Sequence, residues 1–165
     1  MPSDIPALQA LVRRVIAHLR AAGIDQWDAS YPGLQMDADV GSGCAWLWKH
    51  DQAIVAYVAI DQNQDPKWDP LPWTDCSGRH RCIHRLMVEP ATQGQGLGRQ
   101  AMDWIEAQGQ RQGWSSLRLD ALAVNPISNG FYRRRGYVEI GRVLFRKGEA
   151  CVYERHLRQD PVPGG

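Results

Sequence analysis

The stretch His84-Arg85-Leu86-Met87-Val88-Glu89-Pro90-Ala91-Thr92-Gln93-Gly94-Gln95-Gly96-Leu97-Gly98-Arg99 limits what this chain can fold into more than any other. An apolar run gives way to glycine at every second position and then to a helical pattern, which reads as strand, anion-binding loop and helix. Gly94, Gly96 and Gly98 carry no Cβ, so the backbone can take positive φ and a ligand can approach the peptide N–H groups closely. The helix that follows turns its unpaired N–H donors and positive dipole end toward the same point, where a pyrophosphate fits.

Two other glycine loops are excluded by the residues themselves. A Walker A loop needs Lys and then Ser or Thr after its last glycine, whereas Gly98 is followed by Arg99-Gln100. A dinucleotide fingerprint needs G-x-G-x-x-G near the start of a βαβ unit, and the spacing here is G-x-G-x-G, deep in the chain. A tight strand-to-helix turn alone would need fewer glycines.

With 165 residues the chain suits one domain with a full core. Lys and Arg number 19 against 18 acidic residues, a formal charge of +1, which gives no general attraction to nucleic acid or an anionic membrane. Phosphate recognition must therefore be local. No apolar run approaches the ~20 residues of a membrane span, and Ser3, Asp4 and Arg13 break a signal-peptide pattern. The four cysteines, Cys44, Cys76, Cys82 and Cys151, show no C-x-x-C pairing, so reduced thiols in a cytoplasmic protein are expected.

Along the chain, Leu8, Leu11, Val12, Val15, Ile16 and Leu19 follow helical spacing, with Ser3 or Asp4 to cap the start and Gly23 to close the end. A loop bearing Trp27 and Tyr31 leads to a short helix around 34–40. Residues 44–49 and 53–60 form a hairpin around His50-Asp51-Gln52. Residues 61–78, with three prolines, Trp68 and Trp73, read as a long binding or mobile loop. Residues 81–88 form the central strand, with His84, Leu86 and Val88 on one face and Ile83, Arg85 and Met87 on the other.

A helix runs from the glycine loop to about Gln112, and residues 117–123 form another strand. Asn125-Pro126 opens a further helix, as N-cap and first helical residue, that ends near Arg135-Gly136. Residues 137–145 and 149–157 make a closing hairpin, and residues 159–165 a loose tail. The order α-(α)-β-β-β-α-β-α-β-β indicates one mixed α/β layer domain.

Two motifs then resemble the GNAT superfamily of N-acetyltransferases. Gln93-x-x-Gly96-x-Gly98 after a strand is similar to that family's [Gln/Arg]-x-x-Gly-x-[Gly/Ala] pyrophosphate loop. Asn125-Pro126-x-x-Asn129-Gly130-Phe131-Tyr132-x-x-x-Gly136-Tyr137 is similar to its later Asn, Tyr and Gly-aromatic block. The resemblance covers residues 5–157 and implies a GNAT domain over residues 1–158: a central mixed, mostly antiparallel sheet flanked by helices. One departure stands out. Family members begin with a strand before the first helix, and Met1 to Asp4 is too short for one. That strand is expected to be missing, which makes pairing between chains, and so a homodimer, plausible.

The resemblance implies acetyl-CoA as the donor and direct acetyl transfer to a primary amine of a small molecule or peptide. A non-catalytic acyl-CoA-binding sensor is the alternative. Neither nucleic acid nor membrane is an expected partner. The backbone of Gln93, Gly94, Gln95, Gly96, Leu97, Gly98 and Arg99 should hold the pyrophosphate, supplemented by the Arg99 side chain. The backbone of Met87 and Val88 is placed by the resemblance along the pantetheine and acetyl carbonyl. Asn125 and Asn129 in the second motif, and Arg134 toward a phosphate, complete the expected contacts with coenzyme A.

Tyr132 resembles the family's general acid, or is a core aromatic beside Phe131. The base is His84, Glu89 or a water relay; the reference pKa of an imidazole, ~6.5, suits an ammonium substrate at neutral pH. Trp27, Tyr31 and Trp73 line an acceptor pocket or pack against other side chains. His80-x-Cys82-x-His84 spaces three ligand types on one strand face, but residues two apart lie roughly 6.6 to 7 Å apart, too wide for one tetrahedral ion. No metal is expected.

Overall fold

A computed structural model describes residues 2–28 and 30–157. The expected tail, 159–165, lies outside them. The backbone groups into two compact units, Met1–Asp61 with Ile83–Ala101, and Gln62–Cys82 with Met102–Gly165. Six strands, β1 (Ala45–His50), β2 (Ala53–Asp61), β3 (Arg81–Val88), β4 (Ser116–Leu122), β5 (Val138–Phe145) and β6 (Gly148–His156), are hydrogen-bonded in the order β1-β2-β3-β4-β6-β5, one open mixed sheet.

In the first unit, helix α1 (Ile5–Ala21) buries Leu8, Leu11, Val12 and Val15 along one stripe. Gly23 stops it in a left-handed conformation, φ +77°, while the N–H groups of Gly23 and Ile24 close on the carbonyls of Arg20 and Leu19. The expected cap at the other end differs. Asp4 holds the N-cap position without bonding a helix amide, because its carboxylate takes the Lys49 ammonium at 2.6 Å instead.

Helix α2 (Gln35–Ser42) leads into strands β1 (Ala45–His50) and β2 (Ala53–Asp61), antiparallel neighbours joined through Asp51 and Gln52, both at positive φ. Two successive left-handed residues match the twist of a two-residue hairpin. Among the described residues no strand precedes α1, and β1 is an edge of the sheet. The core of this unit joins α1, Trp27, Met36, Ile54, Tyr57 and Met87.

Strand β3 (Arg81–Val88) has the expected bounds and continues from the second unit into the first. Its parallel pairing with β4 (Ser116–Leu122) consists of Arg81 with Leu117 and Cys82 with Arg118. Helix α3 (Leu97–Arg111) follows the glycine loop.

In the second unit, the segment expected as a long loop is packed rather than loose. A single turn at Pro66–Trp68 places Trp68, 2% exposed, among Cys82 and Val152. Asp75 is buried under hydrogen bonds from Ser115 and Ser116, and Arg118 bonds the Asp75 carbonyl at 2.5 Å. Helix α4 (Pro126–Arg134) is capped by the Asn125 side chain, which accepts from the Ser128 amide. Gly136, φ +82°, ends it. Strands β5 (Val138–Phe145) and β6 (Gly148–His156) pair antiparallel, and β6 also pairs with β4 along its length.

Candidate active site

The glycine loop is built from a turn and a helix start. Pro90–Thr92 forms one tight turn, and the Gln95 amide donates to the Thr92 carbonyl. Gly94 and Gly96 then sit at φ +82° and +79°. A Cβ at either would meet nothing within 4 Å, so the backbone angle, not crowding inside the chain, calls for glycine there. Gly98 differs: its φ is not positive, and a Cβ would lie in ordinary contact with Val88, 3.8 Å from Cγ2.

The first helical bond runs from Gln100 to Gly96, which leaves the N–H groups of Leu97, Gly98 and Arg99 without intrahelical acceptors. Gln93, Gly94, Gln95 and Gly96 are exposed. Arg99 is also exposed and makes no ion pair with another described residue. Peptide N–H donors, the positive end of a 15-residue helix and one uncommitted guanidinium suit a diphosphate in charge and hydrogen-bond sense.

On β3, His84 Nε2 lies 3.0 Å from Asp61 Oδ1 at the end of β2. Glu89 is committed elsewhere: Arg14 on α1 reaches Oε2 with Nε at 2.8 Å and Nη2 at 2.6 Å, and the Glu89 amide donates to Val55. Met87 is buried at 2% exposure in the first unit's core, and Val88 is half-buried.

The alternation expected along this strand does not run through it. Arg85 has φ +56°, a left-handed residue inside a strand, so the period-two argument that set His84 beside Leu86 and Val88 fails across it. Such a residue carries about 1 to 3 kcal/mol of strain and persists only where its surroundings fix it. Here the guanidinium forks onto Asp39 of α2, Nε to Oδ2 at 2.9 Å and Nη2 to Oδ1 at 2.7 Å. The Tyr57 hydroxyl donates to the same carboxylate, and Arg85 Nη1 donates to the Tyr31 hydroxyl at 3.3 Å.

On α4, Asn129 is buried and fully engaged. Its amide donates to the carbonyls of Leu122 and Asn125, and its carbonyl accepts from the Tyr153 hydroxyl at 2.7 Å. Tyr132, 8% exposed, meets Phe131 and Tyr137 edge-on, with ring centroids 5.4 and 5.7 Å away. Burial, with Asp120 nearby, pushes its phenol well above the ordinary tyrosine range. The phenol is thus protonated at neutral pH. Of the three arginines ending α4, Arg133 pairs with Glu139 and Arg135 with Asp103 and Glu106. Arg134 is exposed and makes no ion pair with a described residue.

The expected acceptor residues divide. Trp27, 9% exposed, belongs to the first unit's core. Trp73 packs in the second unit, under Arg118 at 3.9 Å, with its indole N–H on the Trp68 carbonyl. Tyr31 alone of the three is exposed, at 38%. Sequence reading missed Asp61 and Asp39, whose partners lie 23 and 46 residues away; no local pattern signals either. A hollow of about 760 Å³ in the second unit, beside Thr74, Asp103, Arg135 and His156, is lined by none of the expected site residues. Arg135 and Arg155 there both pair with Glu106. Among the described residues no three His, Cys, Asp or Glu side chains cluster to hold a metal ion, and no helix is long and apolar enough to cross a membrane.

A model of the acetyltransferase (GNAT) family matches residues 12–137, a span that holds both the glycine loop and α4. An uncharacterised N-acetyltransferase of Bacillus subtilis (strain 168), YesJ, is 31% identical over 143 residues, 84% of this chain and 78% of its own. The S-(2-succino)cysteine N-acetyltransferase of the same bacterium is 24% identical over 171 residues, 95% of this chain and 93% of its own. The crystal structure of a GNAT-family acetyltransferase from Streptococcus agalactiae 2603 superposes with a TM-score of 0.81, covering 97% of this chain and 93% of that one. At 21% identity that likeness speaks for the fold.

Proposed function

Since the chain belongs to the GNAT acetyltransferase family, we propose that it takes the acetyl group of acetyl-CoA and passes it directly to a primary amine of a small molecule or peptide. The observation that carries this reading is the pair of left-handed glycines, Gly94 and Gly96, followed at once by the open N-terminus of α3. A diphosphate is the natural occupant of such a donor set. Arg99 and Arg134 are the uncommitted cations for the remaining phosphate charge.

Direct transfer asks four things of the protein: a held donor, a neutral amine, a hydrogen-bond donor at the carbonyl oxygen and a proton for the departing thiolate. The β3 backbone at Met87 and Val88 supplies N–H groups for the pantetheine and the carbonyl. His84, oriented by Asp61, removes the ammonium proton directly or through water. Glu89, tied to Arg14, is less free to act as the base. Tyr132, kept protonated by burial, delivers the proton to sulfur.

Thiol release from acetyl-CoA, measured over amines, amino acids, peptides and S-(2-succino)cysteine, tests the proposal. Turnover with at least one amine, reduced about 10²-fold or more by Tyr132→Phe, is expected. Tight acetyl-CoA binding without turnover on any of them favours the sensor reading.

A further inference from the structure

We infer that Asp39 is a positioning residue: through its grip on the Arg85 guanidinium it holds a left-handed residue inside β3 and so sets the direction of the Leu86–Val88 amides. The inference rests on the reading of Met87 and Val88 as backbone donors to acetyl-CoA.

Three described non-glycine residues have positive φ. Asp51 and Gln52 make the β1–β2 hairpin, where such angles are usual. Arg85 is in mid-strand, where extended backbone is the default. Something must hold it there, and two features of its side chain do. The guanidinium is held in a planar, two-point fork on Asp39, with side-chain exposures of 10% and 8%, so the pair is largely shielded from water. Asp39 is itself fixed by the Tyr57 hydroxyl from β2, and the remaining guanidinium edge reaches Tyr31.

The consequence falls on the residues that follow. In an extended strand successive N–H groups alternate between the two edges, and side chains between the two faces. Returning Arg85 to extended φ would re-phase Leu86, Met87 and Val88 by one position. The amides proposed for the acyl donor would then face the wrong edge, and the Met87 side chain would leave the core cluster it occupies. The clamp thus joins α2, β2 and the Tyr31 loop to the geometry of the catalytic strand.

The test compares Arg85→Gly with Arg85→Ala. Both remove the guanidinium and leave Asp39 equally bare, but only glycine takes φ +56° without strain. In an ordinary strand glycine is the worse residue, so the order of the two variants reverses if the left-handed backbone matters. Arg85→Gly should keep kcat within ~3-fold of wild type, Arg85→Ala should lose about 10-fold, and acetyl-CoA affinity should differ little between them. Asp39→Asn should lower kcat in the wild-type background and have no further effect on Arg85→Gly, which needs no clamp.

NMR of the Leu86, Met87 and Val88 backbone amides gives a readout independent of turnover: native-like shifts for Arg85→Gly, displaced shifts for Arg85→Ala. That arm decides the question even if wild type acetylates none of the amines tried. It also stands if Asp39→Asn fails to fold. Arg85→Ala matching or exceeding Arg85→Gly in both readouts, or Asp39→Asn costing as much in the glycine background as in wild type, would overturn the inference.

Discussion

Asp61 Oδ1 stands 3.0 Å from His84 Nε2, with the two side chains 25% and 18% exposed. A carboxylate at that nitrogen favours the tautomer with Nε2–H, leaving Nδ1 as the proton acceptor. The pair joins the last residue of β2 to the middle of β3, so the imidazole's orientation is set by the sheet itself.

If His84 serves as the base, His84→Ala should lower kcat by about 10²-fold at neutral pH, with acetyl-CoA affinity unchanged. Asp61→Asn should give a smaller loss of the same kind, because the imidazole keeps its place in β3 but loses the carboxylate that orients it. An unchanged kcat in both variants would assign deprotonation to water.

The two glycines of the loop that share an angle should behave alike, and the third should not. Gly96→Ala forces a side chain onto φ +79° and should weaken acetyl-CoA binding about 10-fold. Gly98→Ala places its methyl in ordinary contact with Val88 and should stay within ~3-fold of wild type. Calorimetric titration of both variants checks the ordering.

Arg133 and Arg134 are neighbours with different commitments. Arg134→Ala should weaken coenzyme A binding several-fold, and added salt should narrow the gap to wild type, as for an exposed charge–phosphate contact. Arg133→Ala, which removes a partner of Glu139, should leave binding unchanged. Equal effects would mean that general positive charge, not a placed contact, is at work.

His80 supplies a stability test separate from activity. Its Nε2 is buried without a hydrogen-bond partner among the described residues, and burial, then Arg118, lowers its pKa. The folded state therefore binds this proton less readily than the unfolded chain. Stability is retained above the unfolded value, ~6.5, and lost as pH falls below it. The urea midpoint of wild type should drop more between pH 7 and pH 5 than that of His80→Gln; parallel declines would remove His80 as the cause.

Much of this fold is written in local signals. Gly23 and Gly136 each end a helix where the chain needs positive φ, Asn125 caps α4, and the strand at residues 81–88 has its expected bounds. The glycine loop is equally local, since its geometry depends on residues within one turn. What stayed hidden depends on distant partners. Asp4 prefers Lys49 to the helix end, and Trp27, Trp68 and Trp73 read as loop aromatics until the cores that enclose them form. The left-handed Arg85 could not be read either, because the carboxylate its guanidinium grips, Asp39, lies 46 residues away on α2. Period-two reasoning assumes extended backbone throughout, and that residue interrupts it.

Titration of acetyl-CoA into wild type and Gly96→Ala by calorimetry bears most directly on the central claim, that the peptide amides of Gln93–Arg99 bind the coenzyme's diphosphate. One saturable site per chain, weakened about 10-fold in the variant, is the predicted result. No heat of binding in wild type, or equal affinities for the two proteins, would contradict it.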